Sequence, residues 1–244
     1  MKEDGYLEYI SKQLAKFKTV LLLLGNHEPY HSSWESVKQK FRDLKVKARA
    51  NQKDKGFGTF IFLEQTRYDI SLDTTILGFS FGYIIILYFF SKVYCLGTLH
   101  SNILPFQSET VSFGLDDFYH IEDGTVEQHV ESHCADLDWL NFQVKSIVEL
   151  ELHRKIIIFT HHSPAISPSR RQYHAHSKLS SGFVADLSSE DCWTDDNVKI
   201  WAFGHTNFNC DFIDKVSGKR VVTNRRGYYS CQSAGFDERK SIDI

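Results

Sequence analysis

The sequence lacks most of the features that mark secreted proteins. Its five cysteines are scattered and include no C-x-x-C pair, which favours thiols in a reducing compartment over a disulfide framework. It contains no N-x-S/T sequon, and the stretch "MKEDGYLEYI" is too charged for a signal peptide. We therefore expect a cytoplasmic protein.

Strong charge and long apolar runs are also missing. The net charge is −3 over 244 residues, which gives no reason to expect a nucleic-acid partner. The longest apolar stretch breaks at Lys92 after about 15 residues, where a membrane span needs about 20, so no membrane is expected. With 42% hydrophobic and 24% charged residues, the composition is ordinary for a globular protein, and we predict a single domain over residues 1–244.

The apolar spacing predicts alternating helices and strands. It predicts helices at 5–18, at 32–49 with a Ser32–Glu35 capping box, and at 125–153. It predicts strands at 19–24, 57–65 and 68–78, and buried-strand runs within 155–164 and 198–207. A hairpin that turns at Ser217-Gly218 follows. This order favours an α/β protein with mixed sheets.

Three of the predicted strands end in histidine. "LLLLGNHE" contributes Asn26 and His27, "IIIFTHH" contributes His161, and "IWAFGHTN" contributes His205. Loops at strand ends are where α/β proteins build their sites, and neutral imidazole is the commonest protein metal ligand. The pattern therefore indicates a metal site.

The same residues form an ordered signature. G-N-H-E at Gly25 to Glu28, then His161, then G-H-x at Gly204 to Thr206 resemble the motifs of the calcineurin-like metallophosphoesterases. The stretches "HCADLDWLN", "THHSP", "WAFGHTNFNCDF" and "NRRGY" are similar to fungal-type members. The resemblance implies an α/β fold of two mixed β-sheets, packed as a sandwich and flanked by helices. It also implies a metal-dependent phosphoester hydrolase acting on a phosphate ester.

The resemblance assigns roles to single residues. Asn26, His161 and His205 match the ligands of one of two divalent ions, such as Mn, Fe or Zn, and His27 matches the histidine that assists catalysis. A hydroxide on the metal would attack the phosphorus. Glu28 has two open readings, as the residue that orients His27 or as an ordinary turn residue.

Two further positions near the signature carry open roles. His162 would face the substrate or serve the structure. Asn207 stands where the family has a second histidine, a ligand of the other metal, and an amide is the weaker ligand.

The sequence also departs from the family pattern. The D-x-H and G-D motifs, expected before Asp4, have no counterpart, so we expect an N-terminally truncated member that lacks its first strands. Such a chain would bind at most one divalent ion. The alternative function is therefore a catalytically impaired member that acts as a binding protein, or a non-functional product; the oligomeric state stays open.

Residues 79–97 interrupt the family-like sequence. Their aromatic-rich composition predicts an insertion that is dispensable and poorly packed. At the start of this stretch, Gly78, Ser80 and Gly82 satisfy G-x-S-x-G, so a serine hydrolase is a remote alternative. The motif requires a helix next, and "YIIILYFF" is a poor helix start.

Two other groups could serve a site. Arg170 and Arg171 lie in a polar loop and could hold a substrate phosphate, or simply be exposed. His129 and His133 lie four residues apart on a predicted helix, as two metal ligands would, but Val130 replaces the glutamate of H-E-x-x-H. We expect a structural or surface role for this pair.

Overall fold

A computed structural model describes residues 3–80, 117–122, 124–164, 187–205, 209–228 and 230–243. The helices are α1 (Glu3–Leu14), α2 (Trp34–Lys55), α3 (Asp117–His120), α4 (Val126–Leu150) and α5 (Asp191–Thr194). The strands are β1 (Thr19–Leu22), β2 (Thr59–Phe62), β3 (Thr66–Asp69), β4 (Thr74–Gly78), β5 (Lys155–Thr160), β6 (Val198–Phe203), β7 (Cys210–Ile213), β8 (Arg220–Thr223), β9 (Gly227–Tyr228) and β10 (Cys231–Gln232). No helix in these ranges is long and apolar enough to cross a membrane.

The main sheet has six strands in the order β3-β4-β5-β6-β8-β7. The inner strands β4, β5, β6 and β8 are parallel, and β3 and β7 close the two edges in antiparallel pairing. β1 and β2 form a second, parallel sheet, and β9 and β10 form a short antiparallel pair. The predicted mixed sheets are confirmed. Because the parallel strands point in the same direction, their carboxyl ends lie side by side at one end of the sheet.

Alternate side chains of each strand lie on opposite faces of its sheet, and the two faces pack against different layers. One face of the main sheet packs against α4 through residues such as Leu77, Ile158 and Leu140. The other face packs against the β1–β2 sheet, where Ile157 and Ile61 share a cluster. The outer face of that small sheet is covered by α1 and α2 in a third cluster. The order helix, sheet, sheet, helix is the expected α/β sandwich.

The apolar run "TVLLLL" packs against other side chains on both faces, as its composition predicts, although only Leu24 is fully buried. Val20 and Leu22 face the helices, whereas Leu21 and Leu23 face the main sheet. The strand therefore delivers Gly25 and Asn26 to the edge where β5 and β6 end.

Several predicted local features differ in the structure. Ser33, not Ser32, caps α2, and its side chain accepts from the backbone N–H of Ser36, while Glu35 pairs with Arg42 at 2.7 Å. Residues 68–78 do not form one strand: they include the end of β3, a turn and β4. Phe17 was expected in the apolar stripe of α1, but it follows the helix and is 57% exposed.

The final hairpin is confirmed. β7 and β8 pair antiparallel, and Gly218 lies between them with a φ of 69°, a conformation that costs glycine little. β8 runs parallel to β6, so the segment that follows it reaches the same edge as His205.

Candidate metal centre

Loops after β1, β5 and β6 bring three of the predicted metal ligands into contact. Asn26 Oδ1 lies 3.0 Å from His161 Nε2, and His205 Nδ1 lies 3.1 Å from the same nitrogen. Asn26 is buried, and both histidines are partly buried. Residues that are 135 and 44 positions apart therefore present their lone-pair atoms to one point.

The His161 side chain lies directly against the turn after β1 and leaves no room for a side chain at Gly25. A Cβ on Gly25 would lie 2.5 Å from His161 Cε1, closer than atoms can approach, so only glycine fits. Glu28 Oε2 accepts from the Gly25 backbone N–H at 2.7 Å. That bond supports the reading of Glu28 as a turn residue, and its role toward metal or substrate stays a prediction.

His161 and His162 leave β5 together. Their ring centroids are 4.9 Å apart, and the His162 ring lies 4.6 Å from that of His205. His161, His162 and His205 each offer one ligand atom, and these atoms all lie within 4.8 Å of one another. Burial, and secondarily His205, lowers the pKa of His161 and of His162 well below the ordinary value. Both rings are therefore neutral at pH 7 and keep a lone pair for a cation.

His205 has a strained backbone. Its φ is 57°, in the left-handed region that side chains other than glycine and asparagine seldom adopt. The preceding Gly204 N–H donates to His161 O at 3.0 Å, and Arg225 Nη1 donates to His205 O at 2.9 Å. These bonds hold the strained turn. Burial lowers the pKa of His205 to about 3, and the nearby Arg225 guanidinium adds to the effect.

The donor set fits a divalent cation. Ligand atoms bound about 2.1 Å from one ion lie about 3.0–3.4 Å apart, which agrees with the two distances to His161 Nε2. Imidazole nitrogen and amide oxygen together suit borderline ions such as Zn²⁺ or Mn²⁺. His162 is close enough to contribute a fourth donor.

His27 lies at the exposed rim of this cluster. Its ring centroid is 4.9 Å from that of Tyr30, and its charge acts on both His161 and His205. An exposed imidazole beside the donor atoms can reach a substrate that a buried one cannot. The catalytic role implied for His27 stays a prediction.

Two residues at the site, Asp117 and Arg225, were not predicted from the sequence. Asp117 begins α3, is 1% exposed, and accepts a hydrogen bond from Asn26 Nδ2 at 3.1 Å. Arg225 follows β8, and its guanidinium lies 4.9 Å from the Tyr228 ring centroid. The "NRRGY" stretch was a signal for Arg225, whereas no local pattern singles out Asp117.

His129 and His133 lie in the interior of the protein. They are 8% and 9% exposed, so the expected surface role is wrong, and the structural role stays a prediction. Burial lowers the pKa of each to about 3. Both also contribute to lowering the pKa of His162, so the pair lies within electrostatic reach of the metal-centre histidines.

Ser80 does not have the setting of a nucleophile. Its hydroxyl donates to Leu63 O at 3.1 Å and accepts from the Leu24 N–H at 2.9 Å, and the residue is buried. The neighbouring Phe79 lies in the main core, so the first two residues of the 79–97 stretch are well packed, contrary to expectation. Residues 81–97 lie outside the described residues, and the insertion stays a prediction.

Three other predicted site residues cannot be placed. Asn207, Arg170 and Arg171 lie outside the described residues. Their proposed contacts with the second metal or the substrate phosphate therefore stay predictions.

The comparison with protein families agrees with the geometry. No curated protein and no solved structure matches the chain. A family model described as calcineurin-like phosphoesterase matches residues 2–207, a span that includes Asn26, His161 and His205. The chain therefore belongs to the calcineurin-like phosphoesterase family.

Proposed function

We propose that this protein hydrolyses a phosphate ester at a divalent cation held by Asn26, His161 and His205. The family supports metal-dependent phosphoester hydrolysis in general terms. The observation that carries the proposal is the convergence of three donor atoms. Asn26 Oδ1 and His205 Nδ1 lie 3.0 and 3.1 Å from the third, His161 Nε2. A divalent cation held there would supply Lewis-acid chemistry at the phosphoryl oxygens and would lower the pKa of a water molecule.

The residues around the cluster supply the remaining functions. His27, exposed at the rim, donates a proton to the leaving-group oxygen, a contribution of typically about 10²–10⁴-fold. Arg225 places a positive charge beside His161 and His205 and attracts the phosphate anion. His162 either joins the donors or lines the substrate side.

A second candidate function is binding of one ion without turnover. The described donors of the centre are neutral amide and imidazole groups. Two dications about 4 Å apart repel strongly, and anionic ligands normally offset that repulsion. This donor set therefore favours occupancy by a single ion. The oligomeric state is a separate question that stays open.

The thiols favour a reducing compartment. Among the residues that the structure describes, Cys192, Cys210 and Cys231 form no disulfide, and burial raises the pKa of Cys210 to about 11. We therefore propose a cytoplasmic location for the activity.

The decisive experiment measures ion binding and turnover together. Residues 1–244 are stripped with EDTA, titrated calorimetrically with Mn²⁺, and assayed with an aryl phosphodiester. We expect binding at one site, metal-dependent turnover, and loss of both in His161→Ala. The control is His153→Asn, which changes an exposed histidine before β5, at the strand end opposite His161.

The alternatives give different results. Binding without turnover would support the single-ion binding protein, and no binding would overturn the metal centre. Ser80→Ala should retain activity per folded molecule. Turnover that survives EDTA but is lost in Ser80→Ala would replace the proposal with serine chemistry.

A further inference from the structure

Asp117 lies directly behind the asparagine of the metal centre. Its Oδ1 accepts from Asn26 Nδ2 at 3.1 Å and also accepts from the Tyr30 hydroxyl. The residue is 1% exposed, so water does not compete for the carboxylate. Neither composition nor motif assigns it a role.

The segment that carries Asp117 is fixed to the loop that carries Asn26. His31 N donates to His120 O at 2.6 Å, and Glu122 N donates to Ser32 O at 2.9 Å. Ser32 and Ile121 also form an isolated parallel bridge. These backbone contacts hold the carboxylate in place relative to Asn26.

The contact determines which end of the Asn26 amide faces the histidines. A carboxamide has an oxygen that can bind a cation and an NH₂ group that cannot. Asp117 Oδ1 accepts the hydrogen bonds from both Asn26 and Tyr30, so the end of Asn26 that faces it is the NH₂ group. The amide oxygen is thereby directed to the other side, where it lies 3.0 Å from His161 Nε2.

We propose that Asp117 is a positioning residue of the metal centre, which orients the Asn26 amide so that its oxygen coordinates the divalent cation. The inference rests on the proposed metal centre of Asn26, His161 and His205. Groups that hold a metal ligand from behind affect affinity strongly, and their loss typically costs about 10–100-fold.

A double-mutant cycle tests the route of the effect. Mn²⁺ affinity is measured calorimetrically for the wild type, Asp117→Ala, Asn26→Ala and the double variant. If Asp117 acts through Asn26, Asp117→Ala weakens binding by about 10–100-fold in the wild type and by less than about threefold in the Asn26→Ala background. An equal loss in both backgrounds overturns the positioning role.

Asp136→Ala is the matched control. Asp136 is also a buried aspartate, and it accepts from the amide of Gln65 at 2.8 Å rather than from a residue of the metal centre. Its removal should leave Mn²⁺ affinity within about twofold, well under the 10–100-fold expected for a supporting group. A loss as large as that of Asp117→Ala would indicate general destabilisation and overturn the assignment.

A conservative variant covers the case in which Asp117→Ala does not fold. Asp117→Asn keeps an oxygen that accepts from Asn26 but loses the charge, so we expect a loss smaller than 10-fold but measurable. Wild-type affinity in Asp117→Asn would then overturn the inference. If the wild type itself binds no Mn²⁺, the proposed metal centre fails instead.

Discussion

The two ends of the main sheet treat their polar side chains in opposite ways. At the amino end of β5, Arg154 donates to Thr75 and pairs with Glu151, which also pairs with Arg67. At the carboxyl end, His161 Nε2 and His205 Nδ1 of two neutral imidazoles lie 3.1 Å apart. The ion pairs at the amino end stabilise the fold. The neutral imidazoles at the carboxyl end can still bind a cation.

Substitution of His205 should have the largest effect on Mn²⁺ affinity. A comparison of two substitutions at this position separates the effect on metal binding from the effect on stability. His205→Gly and His205→Ala both remove a donor and should weaken Mn²⁺ binding by more than about 100-fold, beyond the cost of losing a supporting group. In metal-free protein, the glycine variant should be more stable than the alanine variant by about 1–2 kcal/mol, because the φ of 57° strains alanine.

Calorimetric titration and urea unfolding in EDTA provide the two measurements. Equal stability of the glycine and alanine variants would show that the turn at His205 is not strained. Retained Mn²⁺ affinity would remove His205 from the metal centre.

Acid should destabilise the protein through its buried imidazoles. The pKa of His133 is about 3 in the fold, against about 6.5 in the unfolded chain, so between these values the unfolded chain binds the extra proton. The free energy of unfolding therefore falls as pH falls, by about 2 kcal/mol for this residue between pH 7 and pH 5. His133→Gln should reduce the measured loss by that amount in urea unfolding with EDTA.

Asp136 on the same helix gives a control of opposite sign. Burial raises its pKa to about 6 in the fold, so here the folded chain binds the extra proton as pH falls toward the ordinary value near 4. Asp136→Asn should therefore enlarge the loss between pH 7 and pH 5. The same pH slope in both variants would contradict these assignments.

A change at the opposite sheet end should affect stability alone. Arg154→Met keeps an apolar stem but removes the group that contacts Glu151 and Thr75, and its side chain is only 13% exposed. We expect the free energy of unfolding to fall by about 1–3 kcal/mol, with Mn²⁺ affinity unchanged. Arg220→Met, which removes a more exposed pair with Asp211, should cost less. A change in metal affinity in Arg154→Met would mean that the two ends are coupled.

The sequence predicted what local periodicity and strand ends encode. The apolar run before Gly25 and the histidines after β5 and β6 were enough to predict buried strands and a metal centre. It did not reveal the turn at residues 70–73, because "YDISLDTTILG" contains no glycine or proline before its last residue. A continuous strand was therefore the simpler reading.

Long-range contacts account for what was missed at the centre. Asp117 is 91 residues from Asn26, and only the fold brings them together. Arg225 donates to the carbonyl oxygen of His205, a group that every residue has, so "NRRGY" pointed to the arginine but not to its partner. Hydrogen bonds of this kind leave no local pattern, so their members emerge only from the structure.

The close packing of Gly25 against His161 restricts which residues positions 25 and 161 can carry at the same time. The glycine has no positive φ, so its requirement comes from His161 Cε1, which a Cβ would approach to 2.5 Å. A larger residue at position 25 becomes acceptable only when position 161 carries a smaller one, and that change removes the imidazole. Lineages that lose the histidine should therefore also lose the glycine, and the two positions should vary together as a record of lost metal binding.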